Sequence, residues 1–130
     1  MEKLQRLTLK NFIDERGTLT AIELKDFFEW DAKRVYYLTN VTKARGGHAV
    51  KGEKKIYICQ KGSIKARLHD GEKWNEYELN GPGDAILMNE MCFRDFYEFS
   101  PDAVLLAISS VNYHPEDYIY DLDEFKNYVN

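Results

Sequence analysis

Glycine-containing turns interrupt the sequence at short, regular intervals from Lys55 onward, and this spacing strongly constrains the fold. Short strands separated by turn signals about every ten residues are typical of antiparallel sandwiches and barrels. The pairs Lys61-Gly62 and Asp70-Gly71 are predicted to form tight hairpin turns. The sequence therefore predicts an all-β fold. The predicted strands in this region are IYICQ, SIKARLH, KWNEYEL, AILM, a segment at 93–99 and AVLLAISSV at 103–111.

The N-terminal part of the chain is predicted to add further strands. Residues 4–13 alternate loosely between apolar and polar and end in a turn at 14–17. TLTAIEL (18–24) and residues 34–39 are predicted strands because they are rich in β-branched, apolar and aromatic residues. Residues 25–33 have no clean period and are predicted to form a loop with aromatic anchors.

The C-terminal segment has a different pattern. Pro115 is placed where a helix can begin, and Tyr118, Leu122 and Phe125 follow at helical spacing. We expect a short helix that packs on the sheet. Because no repeat or linker interrupts the chain, residues 1–130 are predicted to form a single domain.

Composition excludes several functional classes. The net charge of −4, from 18 basic and 22 acidic residues spread along the chain, argues against a nucleic-acid-binding protein. No apolar run approaches membrane-spanning length, and the N-terminal residues lack the apolar region of a secretion signal. Cys59 and Cys92 lie in apolar-rich stretches and are predicted to be buried free thiols. We therefore expect a cytoplasmic protein that contacts neither nucleic acid nor membrane.

The stretch RGGHAVK (45–51) is the strongest candidate for chemistry. Gly46 and Gly47 allow backbone angles that a side chain would forbid. His48 follows them and can carry a proton near neutral pH. The sequence therefore points to His48 as a candidate catalytic residue.

Several segments together resemble a known family. They are IDERGTLTAIE (13–23), KRVYYLTNV (33–41), RGGHAVK (45–51), the CQKGS turn (59–63) and DYIYDLDEFKNYV (117–129). In this order, over nearly the whole chain, they are similar to the WxcM-like sugar-nucleotide 3,4-ketoisomerases of the cupin superfamily, which act on dTDP-4-keto-6-deoxyglucose. The Gly-Gly-His stretch and the GPGD turn (81–84) about thirty residues later also resemble those of a cupin. The resemblance implies a cupin double-stranded β-helix (jelly roll) with a short C-terminal helix. It also implies a homodimer that exchanges N-terminal strands, no cofactor, and a role in making deoxyamino sugars for surface polysaccharide such as lipopolysaccharide O-antigen.

The chain departs from the family pattern at several positions. The second histidine of the family's Arg-Gly-x-His-Ala-His motif is Val50 here, and a further family histidine is replaced by Arg94. The acidic-Gln pair that usually follows is Lys54-Lys55. These differences identify the chain as a diverged member.

The same departures argue against a metal site. A transition metal needs three or four ligands on one face. Strand alternation would direct residues 48 and 50 into the barrel together, but valine cannot ligate. His69, beside a turn, and His114, before the predicted helix, are poorly placed to help. We therefore expect metal-independent acid/base chemistry.

Moving a ketone from C4 to C3 of a hexose requires proton removal at C3, an enediol or enediolate, and proton delivery to C4. His48 suits the first step because its ordinary pKa lies near the working pH. Alternation along the strand places Arg34 and Tyr36 on one face and Val35 and Tyr37 on the other. The resemblance implies that the first face looks into the barrel, so Tyr36 is the candidate acid or oxyanion donor. Core or interface packing is the alternative for Tyr36.

A nucleotide diphosphate requires fixed cations, and arginine suits phosphate. Arg16 is the family-matched candidate for the phosphates, and Arg45 is the second. Arg94 is a candidate for contact with the sugar or the phosphates, and Arg34 is a further candidate for substrate binding. Two of them have structural alternatives. Arg16 can simply complete the turn at 14–17. Arg94, together with Lys54 and Lys55, more commonly forms a solvated face, and Tyr37 is predicted to pack.

These features leave several functions open. The first is a 3,4-ketoisomerase, with an epimerase on a related keto-sugar nucleotide as its variant. A non-catalytic cupin that binds a sugar nucleotide is the second, and loss of the second histidine is its main support. A structural dimerisation module is the third.

Overall fold

The computed structural model describes residues 2–130 and contains twelve β-strands and one α-helix. The strands are β1 (Leu4–Thr8), β2 (Lys10–Asp14), β3 (Gly17–Ala21), β4 (Arg34–Leu38), β5 (Arg45–Val50), β6 (Lys55–Lys61), β7 (Ser63–His69), β8 (Trp74–Asn80), β9 (Asp84–Met88), β10 (Phe93–Tyr97), β11 (Val104–Ser109) and β12 (Tyr118–Ile119). The helix α1 spans Leu122–Val129, and single 3-10 turns lie at Leu24–Asp26 and Pro115–Asp117.

Ten strands form two five-stranded antiparallel sheets. The first sheet has the order β1-β9-β6-β11-β4, and the second has the order β12-β5-β10-β7-β8. The main core lies between them and combines Tyr57, Ile86 and Leu105 of the first sheet with Leu68 and Phe96 of the second. The prediction of an all-β fold with a short C-terminal helix is confirmed.

A second apolar cluster explains how the outer face of the first sheet is covered. The residues before β4 fold back so that Phe28 is buried against this face, with Trp30 stacked on it at 3.7 Å between ring centroids. The loop with aromatic anchors predicted for 25–33 is therefore largely confirmed. The preceding strand, predicted over 18–24, ends earlier, at Ala21, because Leu24–Asp26 turns into a 3-10 helix.

The helix α1 covers the outer face of the second sheet. The side chain of Asp121 accepts a hydrogen bond from the Glu124 N–H and caps its N-terminus. Its inward residue, Phe125, is fully buried. Tyr118 lies outside the helix, contrary to the spacing argument, because the 3-10 turn begun by Pro115 ends before it. Tyr118 instead pairs with Val50 and extends the second sheet.

The two predicted hairpin turns have different outcomes. Asp70-Gly71 does join the paired strands β7 and β8, and the Asp70 carboxylate accepts two backbone N–H groups in the turn. Lys61-Gly62 does not form a hairpin, because β6 and β7 belong to different sheets. A glycine turn permits a sharp reversal, but long-range pairing decides whether the next strand pairs or crosses over: β6 pairs with β9 and β11, whereas β7 pairs with β8 and β10.

The strands β2 and β3 form a separate two-stranded hairpin. Phe12, Ile13 and Leu19 on this hairpin are 51%, 77% and 60% exposed, respectively. The turn between its strands is held by Asp14, whose carboxylate accepts from the Arg16 backbone N–H and side chain.

Two sequence predictions concern cysteines and membranes. Cys59 and Cys92 are free and buried, as predicted, and burial raises their pKa values to about 11 and about 12. Across residues 2–130, every helix is too short or too polar to traverse a membrane.

Candidate active site

A cavity of about 60 Å³ lies between the two sheets and contains most of the predicted site residues. Its lining residues are Tyr36, Leu38, Arg45, Gly46, His48, Tyr57, Arg94, Phe96 and Leu105. A larger cavity of about 850 Å³ lies between the β2–β3 hairpin and the outer face of the first sheet, where its lining is mostly apolar or hydroxyl-bearing. The smaller cavity is therefore the candidate active site, because it brings a histidine together with arginines and tyrosines.

His48 sits on β5, directly opposite Arg94 of β10. Its Nδ1 lies 3.1 Å from the Gly46 carbonyl oxygen. A carbonyl oxygen can only accept, so Nδ1 carries the proton and Nε2 keeps a free lone pair. Burial, reinforced by the positive charge of Arg94, lowers the pKa of His48 to about 4. The imidazole is therefore neutral at pH 7 and able to take a proton.

Gly46 allows β5 to approach β10 closely beside His48. Its φ is +102°, and a Cβ there would lie 2.5 Å from the Arg94 carbonyl oxygen. A side chain is excluded both by the backbone angle and by this contact. The glycine predicted to permit unusual backbone angles therefore also sets the distance between His48 and the neighbouring strand.

Tyr36 reaches the cavity from β4. Arg34 lies on the same side, with its guanidinium 4.9 Å from the Tyr36 ring centroid, whereas Val35 and Tyr37 are 61% and 67% exposed on the other face. The predicted alternation along this strand is confirmed, but Tyr37 does not pack within the chain. Lys55 Nζ donates to the Tyr36 hydroxyl at 2.8 Å. Burial raises the pKa of Tyr36, so its phenol stays protonated and can donate into the cavity.

A buried charge cluster of Glu53, Lys55 and Arg94 adjoins the cavity, and each of these residues is only 2% exposed. Arg94 belongs to the cavity lining, whereas Glu53 and Lys55 do not. Lys55 Nζ is 3.1 Å from Glu53 Oε2, which also accepts from Ser109 Oγ at 2.9 Å. Arg94 Nη2 is 2.8 Å from Glu53 Oε1 in an ion pair without hydrogen-bond geometry. Burial opposes ionisation of Glu53, but the two cations outweigh it and lower its pKa.

The interpretation of Arg94 and Lys55 as part of a solvated face is wrong. Both side chains point inward, where Glu53 offsets their charges. Only Lys54 is exposed as expected. Sequence reasoning missed this cluster because the carboxylate that makes burial tolerable comes from a different part of the chain than Arg94. Alternation within β6 was the available signal, because it puts Lys55 on the same face as Tyr57 and Cys59, which belong to the core between the sheets.

The structure separates the predicted arginines. Arg45 and Arg94 line the cavity, and Arg34 lies beside it between the rings of Tyr36 and Tyr113. Arg16 lies on the β2–β3 turn, with its side chain 85% exposed and paired with Asp14 at 2.6 Å. Within one chain, Arg16 therefore completes a turn, as its alternative interpretation predicted.

Tyr57 is a second group that the sequence did not indicate. Its ring is buried against Phe96, and it lines the cavity. Its hydroxyl is buried and has no hydrogen-bond partner within residues 2–130. An unpaired buried hydroxyl is costly. Within residues 2–130, no group of three or more His, Cys, Asp or Glu side chains lies close enough together to hold a metal ion.

Comparisons with known proteins point in one direction. The model of the FdtA family, described as WxcM-like, C-terminal, matches residues 2–130. A TDP-4-oxo-6-deoxy-alpha-D-glucose-3,4-oxoisomerase from Aneurinibacillus thermoaerophilus is 34% identical over 125 residues, which cover 95% of this chain and 90% of that protein. QdtA, a sugar 3,4-ketoisomerase from Thermoanaerobacterium thermosaccharolyticum in complex with TDP, superposes with a TM-score of 0.87 and 34% identity over 97% of this chain and 93% of its own. The WlaRB TDP-quinovose 3,4-ketoisomerase from Campylobacter jejuni superposes with a TM-score of 0.87 and 32% identity, over 98% of this chain and 99% of its own.

Proposed function

The chain belongs to the FdtA family, WxcM-like, C-terminal, and we propose that it is a sugar-nucleotide 3,4-ketoisomerase that converts dTDP-4-keto-6-deoxyglucose to a dTDP-3-keto-6-deoxyhexose. A 34% identical relative bears the name of this activity on the same sugar. The observation in the structure that carries the proposal is a neutral His48, with Nε2 free, in one cavity with the protonated phenol of Tyr36. This is the pair that an enolisation requires.

The reaction begins with His48. Its Nε2 takes the hydrogen of C3 as a proton, and the electron pair moves toward the C4 carbonyl to give an enediolate. The developing charge on the C4 oxygen is stabilised by the Tyr36 hydroxyl and by the fixed positive charge of Arg94. His48 then returns a proton to C4, while the C4 oxygen gains a proton and the C3 hydroxyl loses one, which leaves a C3 ketone and a C4 hydroxyl. The steps move protons only, so the chemistry requires no redox cofactor.

The arginines serve substrate binding. Arg45 lines the cavity while its side chain reaches solvent, so it is placed to pair with a diphosphate at the entrance. Arg94 is held by Glu53 and contributes its charge to the sugar end of the site. Arg34 orients Tyr36 through its stacked guanidinium. TDP, present in the QdtA complex, is the expected nucleotide.

The protein acts as a homodimer that exchanges its N-terminal strands. The exposed apolar residues of the β2–β3 hairpin, Phe12, Ile13 and Leu19, support this assembly, as do Val35 and Tyr37 on the outer face of the first sheet. Exchange would also carry Arg16, at the hairpin turn, to a second copy, where it can contact the substrate. Light scattering of the purified protein is expected to give twice the chain mass of 15.3 kDa. A monomeric mass at micromolar concentration would contradict the dimer.

A 3-keto sugar nucleotide is the kind of substrate that an aminotransferase converts to an amino sugar. We place the reaction in the cytoplasm, in the supply of deoxyamino sugars for surface polysaccharide such as lipopolysaccharide O-antigen. The ketoisomerase names of the family relatives support the keto-sugar nucleotide step of this proposal.

One experiment tests the function directly. The protein is incubated with dTDP-4-keto-6-deoxyglucose in D₂O, and the sugar is followed by NMR. We expect deuterium at C3 or C4 together with a new 3-keto sugar. Exchange without a new ketone would favour an epimerase or another enolising substrate, and saturable binding without any exchange would leave a non-catalytic binder.

A further inference from the structure

We infer that Lys55 is a positioning residue that supplies and recovers the proton of Tyr36, so that the Tyr36–Lys55 pair carries the oxygen-bound proton between O4 and O3 of the sugar. His48 then carries only the carbon-bound proton. The inference rests on the proposed function and extends it to a residue that does not line the cavity.

The geometry supports a relay through Tyr36. Lys55 Nζ donates to the Tyr36 oxygen at 2.8 Å, so the phenol proton itself is free to point into the cavity. Tyr36 is among the cavity-lining residues, and Lys55 lies behind it, 2% exposed. Tyr36 is therefore the group through which Lys55 can exchange a proton with a bound sugar.

The surroundings allow Lys55 to exist in both protonation states. Burial, together with the positive charges of Arg94 and Arg34, lowers the pKa of Lys55 to about 7, against the opposing effect of Glu53. The other groups that face it are neutral at pH 7: the phenols of Tyr36 and Tyr57, the imidazole of His48 and the hydroxyl of Ser109. An amine in this setting can release and regain a proton under working conditions.

Proton accounting shows why a second carrier is needed. The isomerisation removes a hydrogen from C3 and a proton from its hydroxyl, and it adds a hydrogen to C4 and a proton to the C4 oxygen. Tyr36 donates its proton to O4 and regains one from the Lys55 ammonium. The O3 hydroxyl then returns a proton to Tyr36, and Lys55 recovers its own. With valine at position 50, residues 45–51 offer one imidazole, which is occupied by the carbon-bound proton.

Two substitutions separate a relay from a fixed charge. Lys55→Arg keeps a cation beside Glu53, but a guanidinium does not release its proton. Lys55→Gln keeps a hydrogen-bond donor for Tyr36 without any charge. Both are expected to lower kcat about 100-fold, with little change in KM because Lys55 does not touch the substrate. The matched control is Lys54→Gln, an exposed neighbour, which should retain wild-type kcat.

A merely structural role would not change two further readouts. The wild-type kcat should fall as the pH rises through about 7, because the ammonium form is lost, and this limb should be absent in Lys55→Arg. In D₂O, both Lys55 variants should show a higher ratio of deuterium incorporated into recovered substrate to 3-keto product formed. The reason is that the enediolate still forms but returns to substrate more often than it goes on to product. TDP affinity and the thermal unfolding midpoint verify that each variant is folded. If either variant does not fold, the pH profile of the wild-type protein still tests the inference.

The outcomes are distinct. If Lys55→Arg isomerises at the wild-type rate with an unchanged pH limb, Lys55 provides only charge, and the relay is overturned while the proposed function stands. If the wild-type protein forms no 3-keto sugar, the proposed function fails and the relay fails with it. Loss of kcat in both Lys55 variants, with intact TDP binding and a raised exchange-to-product ratio, supports the relay.

Discussion

Replacing His48 with asparagine is expected to lower kcat about a thousandfold, within the range that a positioned general base contributes. Asparagine can still donate to the Gly46 carbonyl oxygen, so β5 should keep its position, but an amide cannot take a proton from C3. Affinity for TDP should be nearly unchanged, because the base acts on the sugar. The rate of deuterium entry at C3, followed by NMR, measures the loss. A large loss of TDP binding would instead make His48 a ligand contact.

The pH dependence of the wild-type protein provides an independent check on His48. Its pKa of about 4 means that the neutral, proton-accepting form dominates above that pH. The acid limb of kcat/KM is therefore expected near pH 4, below the ordinary histidine value of 6.5. A limb near 6.5 would show that the folded protein does not shift this pKa, and that His48 is more exposed than the structure indicates.

Replacing Glu53 with glutamine is expected to lower the free energy of unfolding by about 3–5 kcal/mol. The substitution removes the carboxylate between Lys55 and Arg94 and leaves two cations in the barrel interior. Lys55 can give up its proton in response, but the Arg94 guanidinium cannot. Urea unfolding at neutral pH measures the change.

The surface of the same protein supplies the control for Glu53. Glu98 forms an ion pair with Lys65 at a similar distance, 2.8 Å, but both side chains are largely exposed. Glu98→Gln should therefore cost at most about 1 kcal/mol. Equal effects of the two substitutions would contradict the importance of burial.

The pH dependence of stability tests the same cluster. Because the folded state lowers the pKa of Glu53 below 4.5, its contribution is present above that pH and is lost as the pH falls through the folded value. The difference in stability between the wild-type protein and Glu53→Gln should therefore shrink in acid. A difference that is independent of pH would point to packing rather than charge.

Much of the fold was determined by the sequence because strands and turns depend on short-range geometry. Alternation along β4 is a property of neighbouring residues, and it correctly placed Arg34 and Tyr36 inside with Val35 and Tyr37 outside. A glycine at position 46 reflects a local backbone angle and a close approach. The burial of Cys59 and Cys92 and the aromatic anchors of 25–33 likewise follow from the residue types in short stretches of sequence.

Only the tertiary structure decided the charge cluster and two of the connections. From sequence alone, a lysine or arginine in a strand is predicted to be exposed, because burying a charge without a partner is unfavourable. Glu53 supplies that partner for Arg94, but the two lie 41 positions apart (94 − 53), and the fold alone brings them together. The crossover after Lys61 and the pairing of Tyr118 with β5 likewise depend on which distant strand is available. Local patterns determine what each segment can become, whereas the balance of charge and packing over the whole barrel determines where it lies.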